Sequence, residues 1–185
     1  MIPNNKFSSI PILHDFLIGN RDTLLIDYEY GSESLENPDS NFSTLWTCFY
    51  EDNLIKITNG FSIVPLLEVP NVTELSFAFD LNMRPLIAYS TLTEHNLWWY
   101  DTEASSQVTS NFDSSYSNMH LSLDDNRSEL SASADVILAY IRNNKLYMRI
   151  QRERFQIEHE LANAKCLIQI GMMKNYRFGF AYYNW

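Results

Sequence analysis

Leu86-Ile87-Ala88-Tyr89, a short polar turn, then Leu97-Trp98-Trp99-Tyr100: this pair of apolar runs is the phrase that the rest of the chain repeats. Ile137-Leu138-Ala139-Tyr140 followed by Leu146-Tyr147-Met148-Arg149-Ile150 says it again. Leu45-Trp46-Thr47-Cys48-Phe49-Tyr50 followed by Leu54-Ile55-Lys56-Ile57 is an earlier, more diverged copy, and Phe178-Gly179-Phe180-Ala181-Tyr182 begins a fourth. The matched leucines Leu54, Leu97 and Leu146 are spaced by 43 and 49 residues. A repeat near that period predicts stacked or radially arranged sheet units such as propeller blades.

Around each hairpin the sequence supplies two more runs. A first run precedes it: Thr23 to Tyr30, Thr73 to Asp80, and His120 to Asp124. The second and third of these alternate apolar with polar or small residues, the period of a half-buried strand. A last run follows it: Phe61 to Val64, Gln107 to Thr109, and Phe155 to Glu158. The hairpin connections Glu51-Asp52, Ser90 to His95 and Arg142-Asn143-Asn144 are polar stretches that favour turns, and Asn59-Gly60 is a further turn signal. Lys165 to Gly171 reads as the first run of a truncated fourth unit. The expectation is therefore all-β: repeated antiparallel sheet units forming a small or incomplete β-propeller-like domain. Residues 1–22 form an N-terminal arm, and residues 23–185 hold three four-stranded units plus a partial fourth. Gly31 to Ser43 reads as a long polar loop inserted in the first unit.

One stretch competes with this picture. Arg149 to Ala162 carries charges that a helix tolerates, but Ile150, Phe155, Ile157 and Leu161 fall only loosely on one helical face. Phe155, Ile157, His159 and Leu161 alternate cleanly against Gln156, Glu158 and Glu160, and the repeat decides for strands.

A chain of 185 residues fits one domain with a substantial core, and 45% hydrophobic content with 14% aromatics excludes disorder. The formal net charge of −10 opposes specific binding to nucleic acid, whose phosphates repel such a surface. Arg142, Lys145, Arg149, Arg152 and Arg154 nonetheless place five of the 13 basic residues in one short stretch. Their plain reading is the solvated face of a strand; their functional reading is a subunit contact or a channel-facing patch. Cys48 and Cys166 lie far apart in apolar runs and read as free buried thiols, without zinc-ligand spacing. His14 and Asp15 interrupt the apolar residues between Ile10 and Ile18, so that stretch reads neither as a signal peptide nor as a membrane span. The expected folding compartment is a cytoplasm.

No GxSxG elbow, phosphate-cradling glycine loop or HExxH occurs, and five glycines give little material for a nucleotide loop. His14, His95, His120 and His159 are scattered over separate runs. Asp80-Leu81-Asn82 and Asp124-Asp125-Asn126 fall at equivalent turns, followed by Arg84 and Arg127. Oxygen-rich turns bind calcium in some proteins, but Asx turns braced by a neighbouring arginine are the commoner use. No metal and no cofactor are expected. Trp98 and Tyr100 share one face of their strand and Trp99 takes the other. One face belongs to the core; the other suits a neighbouring sheet, a sugar-stacking platform or a protein interface. The aromatic run Arg177 to Trp185, with Tyr176, Phe178, Tyr183 and Trp185, is expected to dock in its own core or on a neighbour. Signatures of WD40, kelch and sialidase-type propellers are absent.

Leu25 to Ser32, Phe79 to Pro85, Leu97 to Asp101 and Leu121 to Arg127 resemble structural proteins of tailed bacteriophages. So do Ser133 to Tyr140 and Leu146 to Phe155, and the likeness runs in order from about Leu24 to Leu161. The resemblance implies a non-enzymatic, multi-copy building block of a tail or head–tail connector, assembled in the host cytoplasm into the virion. Its partners are then other virion proteins (portal, adaptor, nozzle or fibre components), with a ring assembly and no membrane. It brings no catalytic residues. A carbohydrate- or receptor-binding β module, with Trp98, Trp99 and Tyr100 as its stacking surface, is the competing expectation.

Overall fold

The computed structural model describes residues 24–30, 44–58, 62–82, 84–124, 135–172 and 178–184. The predicted N-terminal arm, the insertion after Tyr30, Asn59-Gly60, Arg127, Tyr176 and Trp185 lie outside these residues. What is described is all-β, built as consecutive antiparallel meanders. Sheet 1 is β1 (Leu24–Tyr30), β2 (Thr44–Glu51), β3 (Leu54–Thr58) and β4 (Ile63–Glu68). Sheet 2 is β5 (Glu74–Phe79), β6 (Pro85–Ser90), β7 (His95–Asp101) and β8 (Ser106–Phe112). Sheet 3 is β9 (Tyr116–Leu123), β10 (Val136–Arg142), β11 (Lys145–Ile150) and β12 (His159–Asn163). Sheet 4 holds only β13 (Cys166–Met172) and β14 (Phe178–Tyr183).

In each complete sheet the strands lie in chain order, and the first strands pack on one another: β1 on β5, β5 on β9, β9 on β13. That is the arrangement of successive propeller blades. Among the described residues the stack is open, because sheet 4 stops at its second strand.

The hairpin turns follow from local chemistry. Asp52 and Asn53, and likewise Asn143 and Asn144, all have positive φ, the requirement of a two-residue type I′ turn. Asn and Asp tolerate that conformation better than other side-chain-bearing residues. Between β6 and β7, the Thr91 hydroxyl oxygen accepts the backbone N–H groups of Thr93 and Glu94.

Why the central strands are apolar on both faces is clear from the stacking. Leu86 and Ala88 of β6 join Leu97 and Trp99 of β7 against Leu121, Val136, Leu138 and Tyr140 of sheet 3. Ile87 and Tyr89, from the same β6, turn the other way to meet Cys48, Ile55 and Ile57 of sheet 1. Ala139, Ile141 and Leu146 of sheet 3 form a third core with Leu167 and Ile170 of sheet 4. Each inner sheet thus serves two cores, which an alternating amphipathic strand cannot do. Full burial of each such aliphatic or aromatic side chain is worth about 1.5–3 kcal/mol. Cys48 and Cys166 are free thiols, and burial pushes the Cys48 thiol far up.

One expectation is corrected. The last strand of sheet 3 is not Phe155 to Glu158 but His159–Asn163. The intervening chain makes a 3-10 turn, Gln151–Glu153, then places Arg154 and Phe155 at φ 54° and 55°. That left-handed pair redirects the chain so that Phe155 plugs the core between sheets 2 and 3. Its ring meets Trp99 edge-on at 5.1 Å between centroids. Burial of the phenylalanine offsets the backbone strain, roughly 1–2 kcal/mol for each residue.

Candidate functional site

A cleft of about 440 Å³ opens at one end of the seam between sheets 2 and 3. Four loop segments build it: the β5–β6 turn, the β7–β8 turn, Asp135 at the entry to β10, and the turn after β11. Its charged lining is Asp80, Arg84, Glu103, Asp135, Arg152 and Arg154, with Trp99, Tyr100 and Gln151 between them.

Every carboxylate of this lining meets an arginine. Asp80, 2% exposed, accepts the backbone N–H groups of Asn82 and Arg84 on Oδ1, and the Arg84 Nε on Oδ2 at 2.8 Å. The Asx turn braced by its arginine, expected from the sequence, is present here. At the equivalent turn of sheet 3, Asp124 Oδ1 accepts the backbone N–H of Asp135 at 2.7 Å. Asp135 in turn holds Arg152, whose Nε lies 2.6 Å from Oδ2. Burial pushes the Asp135 carboxyl up, and Arg152 pulls against that shift.

Arg154 crosses the seam to reach both Asp101 and Glu103 of the β7–β8 turn. Its guanidinium holds the Asp101 carboxyl below the usual range, helped by two backbone N–H groups of the same turn. Gln151 spans the seam as well, its amide donating to Asp80 Oδ2 at 3.3 Å.

The aromatic triplet divides as its alternation requires. Trp99 is 4% exposed in the core shared with sheet 3, and its indole N–H donates to the Ser110 hydroxyl at 3.2 Å. Trp98 packs toward sheet 1. Tyr100 is half-buried at the cleft with the Arg84 guanidinium 4.4 Å over its ring. Trp98, Trp99 and Tyr100 therefore do not share one platform.

The basic stretch is also taken up within the chain. Arg142 and Arg149 both reach Glu158, Lys145 pairs with Glu160 at 2.8 Å, and Arg152 and Arg154 serve the cleft as described. Around Glu158 the rings of Phe112, Tyr116, Tyr140 and Tyr147 stack in series. Phe178 packs into the third core, and Tyr183 at the end of β14 is partly exposed beside Cys166.

Sequence reasoning did not single out Asp101, Asp135, Gln151 or Glu158. Asp101 closing the Trp98-Trp99-Tyr100 strand and Asp135 opening β10 were the available signals, since both sit where a strand meets a turn. Among the described residues no three His, Cys, Asp or Glu groups gather as metal ligands. His159 meets Glu153 at 2.7 Å on the rim of sheet 3. Among the described residues no helix is long and apolar enough to cross a membrane. No protein-family model, curated protein or solved structure matches the chain.

Proposed function

We propose that this chain is a non-enzymatic structural protein, an assembly subunit of a bacteriophage tail or head–tail connector. The observation that carries the reading is the chemistry of the cleft. Acid–base catalysis requires a group whose proton is available at a reacting atom. Here Asp80, Asp101, Glu103 and Asp135 are each engaged by an arginine, three of them also by backbone N–H groups of their own or a neighbouring turn. Such pairs fasten loops to one another, which suits a scaffold. The resemblance of the strand motifs to tailed-phage structural proteins supports the virion setting, and an acidic surface suits a conduit that must not grip passing DNA.

A carbohydrate-binding role draws on the same aromatic residues but finds them occupied. Trp99 is enclosed between sheets, and the guanidinium of Arg84 lies where a sugar ring would stack on Tyr100.

Mass spectrometry of purified virions, with peptide counts scaled to a capsid protein of known copy number, tests the proposal. A ring component of a phage tail is expected in a fixed multiple, about six or twelve copies per particle, because a closed ring has a defined cyclic symmetry. Absence of the chain from the particle overturns the reading.

A further inference from the structure

The ion pairs of the cleft are ordered in depth. In three of them the carboxylate is the buried half and the arginine is the half that meets solvent. Side-chain exposure is 3% for Asp80 against 26% for Arg84, 7% for Asp135 against 59% for Arg152, and 5% for Asp101 against 42% for Arg154. Other lysine and arginine pairs of the described residues lack this order. Lys56 and Lys145 are the more buried halves of theirs, and Arg142 and Arg149 lie close to level with Glu158. A solute entering the cleft therefore meets guanidinium groups, with Glu103 as the exposed carboxylate of the rim. On a chain of formal net charge −10, that is a local reversal of sign.

Two of these arginines keep donors unspent. Arg84 meets Asp80 through Nε at 2.8 Å, and Arg152 meets Asp135 through Nε at 2.6 Å. Among the described residues no hydrogen bond uses the Nη groups of either one. Arg154 differs, since its Nη groups are taken by Glu103 and Asp101. Both unspent forks are held in place. The Arg84 guanidinium lies 4.4 Å over the Tyr100 ring, and its backbone N–H donates to Asp80 Oδ1 at 3.0 Å. The backbone N–H of Arg152 donates to Asp135 at 3.1 Å, so main chain and side chain close on one carboxylate. Gln151, beside Arg152, donates to the same Asp80 oxygen that Arg84 holds, which sets the two arginines on neighbouring anchors. A planar guanidinium fixed at Nε offers its Nη edge to a carboxylate, whose two oxygens match the donor spacing. Little side-chain freedom is left to lose when a ligand arrives.

The geometry points to a binding site for a small dicarboxylate, with one carboxylate on the Nη edge of Arg84 and the other on that of Arg152. The volume of about 440 Å³ falls among small-molecule sites, which span about 300–1,000 Å³. Asn82 and Thr102 line the same cleft and add neutral hydrogen-bonding groups. A small anion suits the charge distribution better than an acidic protein segment. It senses the guanidiniums within a screening length of about 8 Å. An extended acidic partner meets the rest of the surface as well, on a chain with 23 acidic and 13 basic residues. A monocarboxylate fills one fork and leaves the other without a partner. This site is independent of the virion assignment, because it is tested on the purified chain and either reading can fail without the other.

Titration of the isotope-labelled full chain with succinate is the test, followed through the amide resonances of Asn82, Arg84 and Arg152. Saturable shifts with a Kd of about 0.1 mM at low ionic strength are expected for a ligand of this size. Acetate is expected to bind about tenfold more weakly or worse, because it engages a single fork. Arg84→Lys and Arg152→Lys each keep a counter-charge for the buried carboxylate but remove the planar fork, and each is expected to weaken succinate about tenfold. Glu103→Gln removes the exposed carboxylate of the rim and is expected to tighten binding about threefold, a gain that a damaged fold cannot produce. Absence of saturable shifts at about 10 mM succinate, a hundredfold above the expected Kd, overturns the proposal. So does unchanged affinity in both lysine variants, or acetate binding as tightly as succinate. Tighter binding of inorganic phosphate than of succinate also overturns it and marks a tetrahedral oxyanion site instead. If a lysine variant does not fold, Glu103→Gln and the acetate comparison decide, and no gain in the one or equal affinity in the other overturns the assignment.

Discussion

Arg149 and Tyr140 are diagonal neighbours on adjacent strands, and the Arg149 Nε–H donates to the Tyr140 hydroxyl oxygen at 3.0 Å. Tyr140 has no solvent exposure, and it donates its own proton to Glu158. The same arginine reaches the Tyr116 hydroxyl at 2.9 Å and the carbonyl oxygen of Phe155 at 2.8 Å. One guanidinium thus ties β9, β10 and the left-handed bend together, with Glu158 as its counter-charge. Burial and the Glu158 carboxylate push the Tyr140 phenol up, so it stays a donor throughout the accessible pH range.

Glu158→Ala leaves Arg142 and Arg149 without that carboxylate in a partly buried setting. The expected cost is about 3–5 kcal/mol, read as a lower urea midpoint. Glu160→Ala, which breaks the exposed pair with Lys145, is expected to leave the midpoint unchanged.

Phe155→Ala empties the plug between sheets 2 and 3 and leaves the left-handed bend without the burial that holds it. A loss of about 3–5 kcal/mol is expected. Trp99 fluorescence is expected to shift to the red as its edge-on neighbour disappears and water enters.

His120 supplies a pH dependence. Burial holds its imidazole down at about 4, against an ordinary value of 6.5, with a hydrogen bond involving the Leu167 backbone opposing the shift. Above 6.5 neither folded nor unfolded chain protonates this group, and stability is unaffected. As the pH falls from 6.5 to about 4, the unfolded chain takes up a proton that the folded chain refuses, and stability drops. The loss is roughly 2–3 kcal/mol, and His120→Gln is expected to flatten that part of the profile in urea melts at a series of pH values.

Asp80→Ala removes the acceptor of two backbone N–H groups, the Arg84 guanidinium and the Gln151 amide at once. About 2–4 kcal/mol is expected from the unsatisfied donors, with Asp80→Asn retaining part of it because an amide oxygen still accepts the turn.

The meanders were legible because each strand carries its own evidence. Trp98 and Trp99 had to part to opposite faces, and Leu86 to Tyr89 could be apolar throughout only as an inner strand. The Phe155 bend was not legible, since Phe155, Ile157 and His159 alternate like a strand. What breaks the alternation is a core position on another sheet. The cleft was unreadable for a related reason: Arg154 and Asp101 stand 53 residues apart, and no periodicity connects them. Local pattern reports which face a residue shows to its own sheet, not which distant turn it will fasten.

Because sheets 2 and 3 are each covered on both faces, while every meander is made of consecutive strands, the chain can fold in the order in which it is synthesised. A new meander finds its packing surface already in place on the one before it. The bend at Arg154 and Phe155 is made late in this sequence, after β7 has presented Trp99 and Asp101 to receive it. A ribosome pausing before that point holds a nascent chain whose sheet 3 has strands but no fastening, and chaperones should recognise it there.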